Sequence, residues 1–143
     1  MTRSTMFSRR AALTFFACAL ATTSCTRTDA PAEPIWGKEP CAHCKMLVSD
    51  KRYAAQVAAD GERYFFDDIG CMVLWIDTHP RAERAWVHDA SNAAWLDART
   101  ARYVAGVRTP MDFGFEAHAA QGTEGVAFDA AHDAVLAKKR SSL

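Results

Sequence analysis

A chain of 143 residues with 17 basic and 17 acidic side chains offers no electrostatic footprint for nucleic acid, which needs Lys and Arg clustered on one face. Arg3, Arg9 and Arg10 fall within the first 25 residues and no Asp or Glu does, so the remainder is slightly acidic. That remainder suits one compact domain, or two small halves sharing a core.

The first 25 residues read as an export signal. Arg3, Arg9 and Arg10 form a basic n-region, and Ala11 to Leu20 an apolar h-region of the length such signals need. The run ends in Thr and Ser too soon for a transmembrane helix of ~20 residues. Ala21-Thr22-Thr23-Ser24 before Cys25 resembles a bacterial lipobox, in which the Cys is acylated and becomes the first residue. The plainer reading is a cleaved signal with an incidental Cys. Ser8-Arg9-Arg10 leaves general and twin-arginine export both open, and Thr26 is not the Asp of an inner-membrane retention signal. Cys18 lies inside the h-region and is assigned no role. Residues 1–24 are therefore expected to be signal peptide. Residues 25–40, with Pro31, Pro34 and Pro40, are expected to be an acylated tether lifting the domain off the membrane. The implied location is periplasmic, lipid-anchored through Cys25.

The globular part reads as α+β. Tyr53 to Ala59 has strand character, Asp60-Gly61 is a hairpin turn, and Glu62 to Phe66 returns as the partner strand. Asp67 or Asp68 can cap a helix whose residues Ile69, Met72, Val73 and Ile76 form one apolar face, and His79-Pro80 ends it. Ala85 to His88 and Ala94 to Asp97 read as further strands, and 101–107 is ambiguous between helix and strand. Phe113 to Ala117 is expected to be extended. Phe128 to Lys139 reads as a closing helix with Lys138, Lys139 and Arg140 at its C-terminal end. Tyr64-Phe65-Phe66-Asp67 and Val126-Ala127-Phe128-Asp129 echo each other as strand, Asp cap, then helix. The domain thus divides into halves at 41–90 and 91–143.

Chemistry concentrates in Cys41-Ala42-His43-Cys44-Lys45-Met46. Thiolate and thioether donors on an exported protein favour a soft metal, Cu(I) above all. With Cys18 and Cys25 set aside, Cys41, Cys44 and Cys71 remain, an odd number that cannot all be structural disulfide. On an extended segment Cys44 and Met46 face the same side and can share one ion; Cys41, three residues earlier, suits a turn-borne pair. His43 is a supplementary candidate. Cys71, near a helix start that lowers a thiol's pKa, is either a ligand or a small buried core residue. Met111, after Thr109-Pro110 and off any periodic apolar face, is a candidate remote ligand. Met72 reads as core, His88 as structural, and His79, His118 and His132 as surface positions.

Together these residues resemble the NosL family of nitrous oxide reductase accessory proteins, lipoprotein copper chaperones. The likeness runs through Cys44-Lys45-Met46, Ala55-Gln56-Val57, Phe66-Asp67-Asp68-Ile69-Gly70-Cys71-Met72, Val87-His88-Asp89, Trp95-Leu96-Asp97-Ala98 and Thr109-Pro110-Met111. The resemblance implies two similar ββαβ halves and one Cu(I) held by Cys and Met, with His as a further donor. Cys44 and Met46 match the family's Cys-x-Met element, and Met111 its downstream Met. Asp112 stands where the family often has Gly. The implied partners are the membrane and a recipient cuproenzyme, such as nitrous oxide reductase or its assembly machinery, with the chaperone itself a monomer. Two rival readings are a thiol–disulfide oxidoreductase using Cys41 and Cys44, and a structural zinc module of Cys41, Cys44, Cys71 and a His. The Pro-rich segment before Cys41 is not the strand that opens a thioredoxin-like redox helix, and no second paired Cys/His element appears. No Ser/His/Asp arrangement or P-loop suggests catalysis.

Overall fold

The structure, a computed structural model, describes residues 28–142; the signal peptide and Cys25 lie outside the described residues. β1 (Ala55–Ala59) and β2 (Glu62–Phe66) form the expected hairpin. Its two-residue turn places both Asp60 and Gly61 at positive φ, 52° and 77°, the backbone that matches strand twist. Asp68 caps α1 (Ile69–Thr78) by accepting the Gly70 N–H at 2.8 Å. β3 (Ala82–His88) and β4 (Trp95–Asp97) complete an antiparallel sheet of order β2-β1-β3-β4. β5 (Arg102–Ala105) and β6 (Phe115–His118) form a second hairpin, followed by α2 (Phe128–Ser141). The α+β class expected from the sequence is the class observed.

Four local expectations change. The ambiguous 101–107 segment is strand β5, because Tyr103 exchanges two 2.9 Å backbone bonds with Val126 as well as pairing with β6. β4, expected in the second half, pairs with β3 in the first half's sheet, so the sheets divide after β4 rather than at residue 90. The Asp cap expected for the second helix is absent: Ala127 is its N-cap without a side-chain bond, and Asp129 lies in the first turn. Finally, α1 is buried all round from Ile69 to Trp75 rather than along one face. A helix surrounded on every side is apolar on every side. Here the sheet covers one flank and the Phe113 loop and α2 cover others, so one core runs through both halves.

The sheet's two faces are covered differently. Tyr64 and Phe66 lean on Trp75 of α1, with ring centroids 4.6 and 5.8 Å away. Strand alternation puts Gln56, Trp86, His88 and Trp95 on the opposite face. The segment expected as a tether lies on that face from Ala32 onward. Ala32 exchanges two bonds with the Gln56 amide, at 3.0 and 2.9 Å. Glu33 accepts from the indole N–H groups of both Trp36 and Trp95 at 2.8 Å. Polar backbone docks here because Gln56, itself buried, offers both a donor and an acceptor.

This strap buries His88 between Trp36 and Trp95, at 5.4 and 3.8 Å between centroids. Neither ring nitrogen has a hydrogen-bond partner among the described residues. Burial holds its pKa below the ordinary value, with Lys51 acting in the same direction and Glu33 against it. The folded state keeps His88 neutral while the unfolded chain takes up a proton near pH ~6.5. Stability from this group is therefore full above ~6.5 and is lost as pH falls towards the folded pKa. Denaturation midpoints should drop between pH ~7 and ~5, and drop less in His88→Phe. Equal slopes in the two proteins would show that His88 does not carry the effect.

Candidate metal centre

The Cys41–Cys44 loop is clamped onto the edge of the first sheet. Pro40 and Leu47 form a bridge, the Cys41 N–H donates to the Met46 carbonyl at 2.7 Å, and the Lys45 N–H donates to the Cys41 carbonyl at 3.1 Å. Lys45 closes the turn at φ 70°, a left-handed backbone that a side chain adopts at some cost. The Ala42 N–H donates to the Phe65 carbonyl at 2.8 Å, which fixes the loop beside the end of β2. β2 runs directly into Asp67, Asp68 and the first turn of α1, where Cys71 sits.

This arrangement brings Cys41, Cys44 and Cys71 together with Asp67, one ligand atom from each lying within 4.8 Å of the others. Cys41 and Cys71 are fully buried, Asp67 is buried, and Cys44 is half-buried at the mouth. All three cysteines are free thiols. The Cys44 Sγ–H donates to Asp67 Oδ1 at 3.2 Å, and the other carboxylate oxygen, Oδ2, is buried without a partner among the described residues. A buried carboxylate oxygen left without a bond is costly unless something cationic fills the gap.

The thiols share their protons unequally. The neighbouring Cys71 thiol draws Cys41 down to about 6, helped by the Cys44 N–H at 3.5 Å. Cys71 is pushed up by the same contact and by burial. Burial, and donation to Asp67, push Cys44 up to about 12. The helix start does not lower Cys71, whose thiol is held up by its contact with Cys41 and by burial.

Of the six candidates, the structure gathers Cys41, Cys44 and Cys71 and adds Asp67. Met46 is 50% exposed, and the left-handed Lys45 interrupts the extended segment that was expected to align it with Cys44. His43 is exposed on the same loop; partial burial lowers its pKa, as do Lys139 and Lys45. Met111 is half-buried against the core, in a loop held to the same end of α1 by a 2.9 Å bond from its N–H to Asp68 Oδ2. Asp112 has φ 58°, a left-handed backbone that Gly adopts without a Cβ penalty. Sequence reasoning missed Asp67. The available signal was the acidic doublet itself: one Asp suffices as cap, and the other stands four residues before Cys71, one helical turn away.

The NosL family's sequence model matches residues 32–137. No curated protein matches. Among solved structures, the copper chaperone NosL from Shewanella denitrificans is similar, with a TM-score of 0.54 and 15% identity over 75% of this chain and 87% of that one. At that identity the likeness establishes the fold. The match of sequence pattern over most of the chain establishes more: the protein is a member of the NosL family.

Proposed function

We propose that this protein is a metallochaperone that binds one Cu(I) as cargo and passes it to a cuproenzyme, such as nitrous oxide reductase, or to its assembly machinery. The observation that carries the reading is the convergence of three free thiols on one loop-and-helix corner. Sulfur donors of this kind favour Cu(I) over harder ions. Cys44 and Met46 are partly exposed and the Met111 main chain is bonded to Asp68 at the same end of α1, which supports these three as the exchanging ligand set. Cys41 and Cys71 back them from inside, with His43 at the rim. A half-open set suits transfer, since a partner's ligand can reach the ion without unfolding the site.

The protein acts in the periplasm as a monomer and has no catalytic role. Acyl chains on Cys25 hold it at the membrane, each buried CH₂ contributing ~0.8 kcal/mol. Among the described residues no helix is long and apolar enough to cross a membrane. The short link from Cys25 to the docked strap keeps the domain close to the surface. The mature protein, titrated with Cu(I) under reducing conditions against a chromophoric chelator, should bind about one equivalent tightly. Failure to compete with a moderate chelator would sink the reading. Tighter binding of Zn(II) in the parallel titration would instead favour the structural zinc module, for which Cys41, Cys44, Cys71 and Asp67 supply four donors.

A further inference from the structure

We infer that Asp68 is a positioning residue for the metal site, holding Met111 where its thioether can meet the ion bound at Cys44. The inference rests on the reading of Met111 as a ligand. Asp68 is fully buried, and each of its carboxylate oxygens has a separate task. Oδ1 accepts the Gly70 N–H and caps α1. Oδ2 accepts the Met111 N–H from a loop far along the chain. A helix cap needs only the first of these bonds.

The neighbouring residue makes the same kind of connection. Asp67 holds the Cys44 thiol while Asp68 holds the Met111 main chain. One two-residue corner at the start of α1 thus contacts both the Cys44 thiol and the Met111 main chain. The rest of the Met111 loop is fixed in support. The Asp112 N–H donates to the Thr109 carbonyl at 3.0 Å, the Gly114 N–H to Thr109 Oγ1 at 3.2 Å, and Lys138 to the Asp112 carbonyl. Met has three rotatable side-chain bonds. Fixing its main chain removes much of the freedom that ligation would otherwise have to overcome.

Two substitutions separate capping from positioning. Asp68→Asn leaves one acceptor oxygen, which can serve Gly70 or Met111 but not both. Asp68→Ser keeps a favourable cap with no second oxygen to reach Met111. Each should weaken Cu(I) binding about 10- to 100-fold, as loss of an outer-shell partner does. Copper X-ray absorption should show one fewer sulfur neighbour, a change that a purely structural role would not produce. Met111→Leu should lose a similar amount, and Asp68→Ser combined with Met111→Leu should be no weaker than Met111→Leu alone. In the unmodified protein the Met111 amide should exchange slowly with solvent; fast exchange would contradict the clamp without any variant. If Met111→Leu binds copper normally, the ligand reading itself fails and the positioning role falls with it. If Met111→Leu is weakened while both Asp68 variants bind and ligate as the parent does, only the positioning role is overturned. Additive losses in the double variant overturn it too.

Discussion

Cys44→Ser should abolish tight Cu(I) binding while leaving the fold intact. Cys44 is the one thiol of the cluster that reaches the mouth; Cys41 and Cys71 are fully buried behind it. A serine hydroxyl is a hard donor that Cu(I) disfavours, yet it can still donate to Asp67 in place of the Sγ–H. The effect should therefore appear in chelator competition and not in the denaturation midpoint. Met46→Leu and Met111→Leu should each weaken binding by less, because each removes one of several sulfurs and Leu nearly conserves Met volume. Cys41→Ser should cost less than Cys44→Ser, since Cys41 backs the site from inside. The opposite pattern is informative. Should Cys41 and Cys44 prove equally essential while both Met changes are silent, the thiol cluster alone is the binding unit, and the loop methionines serve packing and surface.

Local signals carried most of the fold. The Asp60-Gly61 turn, the acidic cap before Ile69, the His79-Pro80 stop and the basic end of α2 were readable because each depends on neighbours in sequence. The strap was not. Pro31 and Pro34 favour extended chain in a tether and in a docked segment alike, and what docks this one is a buried amide on β1, Gln56. β4 was found as a strand but its pairing with β3 was not, although the Asp89 to Ala94 turn that joins them is closed by local bonds. The site was half legible. Sulfur chemistry singled out Cys41, Cys44 and Cys71, but periodicity could only place Cys71 off the apolar face, not opposite Cys41. The expected Cys44–Met46 alignment assumed extended backbone, and Lys45 at φ 70° gives no warning in its residue type. Asp67 was hidden by its own doublet, because either Asp could have been the cap.

Gly70→Ala should destabilise the protein, although the same change in an exposed helix interior stabilises by about 1 kcal/mol. An alanine Cβ at Gly70 would lie 2.0 Å from Phe113 Cγ and 2.4 Å from Phe113 Cβ. Contact so near the root of the side chain cannot be relieved by turning the ring; the main chain of the loop has to move. That main chain is held on both sides of Phe113 by left-handed residues, Asp112 at φ 58° and Gly114 at φ 84°, and by the Met111 N–H bond to Asp68. Overpacking of this kind costs about 1–3 kcal/mol, so the net change should be a loss that urea denaturation can resolve. Shifting the loop also shifts Met111, so Cu(I) affinity should fall in the folded variant. Truncating the obstacle tests the geometry: Gly70→Ala with Phe113→Ala should lose less stability than the sum of the two single changes, because the clash disappears with the ring. A stabilised Gly70→Ala protein with unchanged copper affinity would mean that Phe113 does not seat on the bare face of α1, and the Met111 loop would then need another anchor.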